Sequence, residues 1–175
     1  AYSWQHIPQW KLASVNWLEG ILPLWNPHQG SGVPLAANFV SNSYNPFLML
    51  SNMVGPILVV RWYLVLRISI ASLGMYLFLS KFTKAKWPAF AGALFYVFSG
   101  YFTQFFSMNH HDIDFCLPWL LLFALHARGR KVFWGFNSFL ITFSIFGGMP
   151  ESTIFVIGFY SIFVLFQIIG GPTHD

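Results

Sequence analysis

Hydrophobic and polar positions are unevenly divided along this chain. From about residue 57 onward, apolar residues run in long blocks with short polar breaks between them. Before that point they are scattered among prolines, glycines and asparagines, with neither a helical nor a strand period over residues 22–47. A helix that crosses the hydrocarbon core of a bilayer needs about 20 apolar residues. Five blocks approach that length: 57–80, 88–106, 115–127, 132–146 and 152–169, the third short enough to tilt or to start deeper. The pattern predicts an all-α membrane protein. About five transmembrane helices (57–175) follow an external loop region (1–56) that contains an amphipathic interfacial helix.

That helix is expected over residues 7–20, "IPQWKLASVNWLEG". Ile7, Trp10, Ser14, Trp17 and Leu18 share a helical face, and Lys11, Asn16 and Glu19 fall elsewhere. Pro8 suits a first turn and Gly20 a stop. The stretch "LPLWNPHQGSGVPLAANFVSNSYNPF" (22–47) follows. Pro23, Pro27 and Pro34 hold their preceding residues in extended or turn geometry, and Gly30 and Gly32 permit positive φ. A long loop fixed in this way usually serves a site. It is expected to pack over the outer ends of the spans, with Trp4, Trp10, Trp17 and Trp25 at the interface or in protein.

Composition sharpens this picture. The chain is 56% hydrophobic and 8% charged, with a mean hydropathy of +0.58, against roughly 25% charged residues in soluble domains. So few charges cannot clothe a water-facing surface. The net charge of +4 is not a nucleic-acid signal, because the basic residues sit in short clusters between apolar runs. "KFTKAK" (81–86) and "RGRK" (128–131) occupy alternate connections and so share one face, which the positive-inside rule makes cytoplasmic. The opening region, "MNHHDID" (108–114) and "GGMPES" (147–152) then face outward together. The lone Cys116 excludes an internal disulfide. The opening "AYSWQHIPQW" lacks the shape of a signal peptide, and a larger parent protein is expected.

The stretch "QHIPQWKLASVNWLEGILPLWNPHQGSGVPLAAN" (5–38) resembles the first external loop of YfhO-type bacterial membrane proteins, in the type C glycosyltransferase superfamily. Gln5, His6, Pro8, Gly20, Pro23, Leu24, Trp25, Asn26, Pro27, Gly32, Pro34 and Asn38 match its pattern. "YVFSGYF" (96–102), Asn109–His110, "LPWLLL" (117–122) and "GGMPES" resemble later segments, so the likeness runs through nearly all of the chain. It implies transfer of a sugar from a polyprenyl-phosphate-linked donor to a cell-envelope acceptor, at the outer face of the bacterial inner membrane. It also implies membrane lipid and the lipid-linked donor as partners. The family carries an acid shortly before its "QHxP" pattern, near Ala1 here. That aspartate is either upstream of this chain or replaced.

Such chemistry needs a base, positive charge or metal for the phosphate, and a water-poor cleft. Glu151 and Glu19 are the catalytic candidates. Glu151 also reads as a first-turn acid favoured by the helix dipole, and Glu19 as a solvated residue. His6, His28, Asn109 and His110 are candidates for contacting phosphate or sugar, His6 and His28 alternatively packing against tryptophan. Asp112 and Asp114 have the Asp-x-Asp spacing that can hold magnesium or manganese, with Asp114 alternatively the N-cap of the following helix. Arg61 lies near an outer end and can reach the headgroups. Arg67 lies about 15 Å into the first span, where a charge is costly. It is expected to pair with a neighbour or to meet the donor phosphate from the floor of one outward cavity lined by the histidines, Asn109 and Glu151. A reading of a different class is a non-enzymatic subunit of a larger membrane complex, with its loops contacting other membrane subunits, lipids or pigments.

Overall fold

A computed structural model of the chain describes residues 2–38, 41, 43–45, 56–105, 112–127, 130–147 and 150–169. Its elements are α1 (Tyr2–Leu18), β1 (Trp25–Asn26), β2 (Val33–Pro34), α2 (Pro56–Leu79), α3 (Lys86–Val97), α4 (Gly100–Phe105), α5 (Asp112–His126), α6 (Lys131–Gly147) and α7 (Pro150–Ile169). The protein is mostly helical, as expected. Each predicted apolar block is helical, but the second is not continuous. It breaks at Phe98–Ser99, where Phe98 has φ −100° and ψ 14° and Gly100 opens a new helix.

α5 is the central element. It packs against α2, α6 and α7, and it buries Leu120, Leu121, Leu122 and Ala124 around its circumference. One cluster joins Leu120 and Ala124 to Val156 and Tyr160 of α7. A second joins Ala71 of α2, Val97 of α3, Phe102 of α4 and Phe115 of α5. The contacts fix the directions. Arg67 lies on the Phe115 ring and Ile70 bonds Trp119, so α2 and α5 run parallel. Leu79 meets Gly92 while Ala71 meets Val97, so α3 runs back. Phe123 meets Phe133 and Phe136, so α6 also runs back. The α2–α3 turn with Lys81, Lys84 and Lys86 therefore lies at the same end as Arg130 and Lys131, and α2, α5 and α7 all begin at the opposite end.

The distribution of side-chain size is inverted relative to a water-soluble bundle. α3 buries Ala89, Ala93 and Val97 at four-residue spacing and turns Trp87, Phe90, Leu94, Phe95 and Phe98 outward. Small residues at helix contacts with large apolar residues facing away are the arrangement of helices in lipid. Arg61–Leu79 and Glu151–Ile169 are long and apolar enough to cross a membrane, and only 22% and 17% of them is buried within the protein, unlike the core helix of a soluble domain. Among the described residues these are the two helices that meet that length.

The opening region forms a separate platform. α1 starts earlier than expected, so Pro8 lies inside it rather than in its first turn. Trp10, Ala13 and Ser14 form its buried face, and Leu18, expected on that stripe, is exposed. α1 ends as the glycine predicts. Gly20 has φ +73°, its N–H bonds Trp17 O at 3.1 Å, and Ile21 N–H bonds Asn16 O at 2.8 Å, a Schellman closure. Within 22–47, which shows no strand period, a two-residue antiparallel pair joins Trp25 with Pro34 and Asn26 with Val33. Asn26 Oδ1 accepts the His28 N–H at 3.0 Å to start the turn. Gly32 is required twice over, because its φ is +98° and a Cβ there would lie 2.6 Å from the Trp25 indole. Beyond the hairpin, Ser41 Oγ donates to Leu35 O at 2.8 Å and the Trp17 indole N–H donates to Ser43 O at 2.9 Å.

Candidate functional site

The platform joins the bundle where Asn45 Nδ2 donates to the Tyr63 hydroxyl at 2.7 Å, both residues being buried. One turn further along α2 lies Arg67, 6% exposed. Its guanidinium carbon is 4.3 Å from the centre of the Phe115 ring and 5.3 Å from that of Tyr63. Two aromatic faces thus shelter a cation set among apolar helices. Arginine tolerates this better than lysine, because its planar, weakly hydrated guanidinium stacks on rings and still presents its edge to an oxygen ligand. Arg61, by contrast, is exposed.

Phe115 is followed back along α5 by Asp114, 8% exposed. Asp114 does not cap α5, which begins at Asp112, so that expectation is corrected. Its Oδ2 accepts the Tyr101 hydroxyl at 3.0 Å, and its backbone carbonyl accepts the Tyr96 hydroxyl at 2.7 Å. Ser152, at the start of α7, also hydrogen-bonds the Tyr101 side chain. The polar end therefore gathers Arg67 from α2, Tyr101 from α4, Asp114 from α5 and Ser152 from α7, around rings of Tyr63, Phe102 and Phe115.

The remaining sequence candidates fall in different places. Glu151 is exposed in the first turn of α7, beside this cluster. His28 is exposed on the hairpin turn, and Glu19 is exposed just after α1. The side chains of His6, Asn109, His110 and Asp112 lie outside the described residues, so the proposed cavity of histidines and Asn109 does too. Among the described residues no group of three His, Cys, Asp or Glu side chains could hold a metal. The Asp114 carboxylate accepts from the hydroxyl of Tyr101, an exposed residue.

Sequence reasoning missed Tyr63, Tyr96 and Tyr101, which looked like ordinary interfacial aromatics. One signal was available for Tyr96. Pro118 cannot donate to the carbonyl four residues earlier, so Asp114 O had to find a donor elsewhere. A further feature lies deeper in the bundle, a cavity of about 320 Å³ among α2, α3, α5 and α7, lined only by apolar surface that includes Met75, Phe78, Leu117, Leu121 and Phe163. No family model matches the chain, and neither a curated protein nor a solved structure does.

Proposed function

We propose that the chain acts in a membrane glycosyltransferase that moves a sugar from a polyprenyl-phosphate-linked donor to a cell-envelope acceptor. In this reading the five apolar segments cross the bacterial inner membrane, α3 and α4 together making the second crossing. The lysine and arginine turns face the cytoplasm, and the platform and the polar end face outward. The large apolar residues turned away from the bundle support the membrane placement, and the likeness of residues 5–38 to the YfhO-type loop supports the chemistry.

The observation that carries the reading is Arg67. A cation so deep in an apolar helix is retained against a cost, and it lies beneath the end where polar groups from four helices meet. A lipid-borne phosphate reaches that end from the bilayer side, where the guanidinium edge suits its oxygens. Asp114 and Tyr101 would fix the walls around it, and Glu151 would be the acid nearest an acceptor.

The test uses polyprenyl phosphate and the polyprenol of equal length as probes, with binding to the purified chain followed by native mass spectrometry. The phosphate is expected to be retained and the alcohol not. Arg67→Gln should reduce retention by about tenfold, the scale of a hydrogen bond to a charged group. Arg67→Lys should restore little, and Arg61→Gln should change nothing. Equal retention of both probes, or an Arg67→Gln variant that binds normally, would overturn the proposal in favour of a non-enzymatic membrane subunit.

A further inference from the structure

Asp114 touches two helix interruptions at once. Pro118 removes the donor for the Asp114 carbonyl within α5, and the Tyr96 hydroxyl replaces it at 2.7 Å. The Asp114 carboxylate meets the Tyr101 hydroxyl at 3.0 Å. Tyr96 lies just before the Phe98–Ser99 break and Tyr101 just after it. One residue of α5, close to a proline, is therefore bonded to both sides of the gap between α3 and α4. Phe102 fills the angle between them, its ring 4.8 Å from Tyr96 and 4.8 Å from Phe115.

Beyond Pro118 the attachment is of another kind. The Trp119 indole N–H donates to Ile70 O at 2.8 Å, and its ring occupies the space over Gly74, where a Cβ would lie 2.6 Å from Nε1. α5 is thus clamped to α2 from Trp119 onward by close packing, while before Pro118 its ties include the Tyr96 bond to α3, the tilted rings of Phe102 and Phe115, and the Arg67 contact of Phe115. Kinks at proline and at Ser–Gly pairs are the usual places where helices bend, and both occur here at one level of the bundle.

We infer that α4 and the first turns of α5 (residues 100–105 and 112–117) form one unit that pivots on Phe98–Ser99 and Pro118, with Asp114 stapling the two pivots together. Phe115 belongs to this unit and carries one face of the Arg67 guanidinium. Movement of the unit therefore opens or closes the shelter around that cation. A single neutral hydrogen bond alters such an equilibrium by about fivefold, enough to bias the unit without freezing it.

Cys116 reports the motion directly, because it lies on the unit, is half-buried and is the only cysteine. Its rate of reaction with a maleimide would be measured in the full chain, well below the unfolding temperature, alongside thermal unfolding. Tyr96→Phe should speed labelling by about fivefold. In a Pro118→Ala background the same change should have almost no effect, since the alanine restores a backbone N–H that can bond Asp114 O. Tyr101→Phe removes the contact to Ser152 of α7 and the bond to Asp114 within the unit, so whatever its size its effect should be the same in both backgrounds. The inference is overturned if Tyr96→Phe acts alike with and without Pro118, if the effect of Tyr101→Phe depends on Pro118, or if labelling simply follows global unfolding in every variant.

Discussion

The platform of residues 2–38, 41 and 43–45 and the bundle from Pro56 to Ile169 are held together by opposite means. In the platform, order comes from backbone geometry. A Schellman closure at Gly20, an Asn26 turn, a glycine at φ +98° and serine hydroxyls on Leu35 O together account for its path. In the bundle, order comes from side-chain size: alanines and glycines at the contacts, stacked phenylalanines, and large apolar residues facing away. The difference fits the proposed placement of the bundle in lipid and the platform in water. Where water competes for polar groups, loops are fixed by turn chemistry. Where there is no water to drive apolar residues inward, helices associate through close packing and a few buried polar bonds. The two regions meet at Asn45 and Tyr63, and the candidate site lies directly beneath.

The sharpest break of this comparison is in the bundle. Leu120, fully buried at the centre of α5, should cost about 2–5 kcal/mol when changed to Ala. Detergent-solubilised protein should lose thermal stability while the platform keeps its resistance to limited proteolysis. The converse is Gly32→Ala, which forces a left-handed residue and a Cβ 2.6 Å from the Trp25 ring. It should cost about 1–3 kcal/mol, seen as new cleavage around residues 22–38 with an unchanged bundle transition. Tyr63→Phe removes the acceptor of the Asn45 bond but keeps the ring on Arg67. About 1 kcal/mol is expected, and the two regions should then melt less cooperatively. The smallest effect is expected for the pair of Asn137 and Tyr160, whose side chains bond at 2.8 Å between α6 and α7. Asn137→Leu with Tyr160→Phe should be within about 1 kcal/mol of the parent, because removing both partners leaves no buried group unmatched.

The helices were legible because long apolar blocks have few alternatives, and their ends fell close to the Gly, Pro and charged residues that mark them. The break at Phe98–Ser99 was passed over because "VFSGYF" is apolar enough to continue a helix, although the Ser99–Gly100 pair marks it; the ring of Phe102 lies there between Tyr96 and Phe115. The start of α1 was misplaced because Pro8 was read as a first-turn residue, whereas here a proline sits within the helix. In the candidate site Arg67 was conspicuous as a charge in an apolar run. Its shelter was not, since the rings of Tyr63 and Phe115 come from different helices. Asp114 was noticed for its spacing to Asp112, but its bonds to Tyr96 and Tyr101 depend on the tertiary meeting of α3, α4 and α5.

The proposed topology puts the platform and the basic turns on opposite sides of one membrane. Single cysteines at Ser31, on the hairpin, and Thr83, in the α2–α3 turn, in a Cys116→Ser background, test this in intact cells with a membrane-impermeant maleimide. Labelling at Ser31 from outside, with Thr83 reacting only after the membrane is opened, is the predicted result. Reaction of both positions from the same side would contradict the claim.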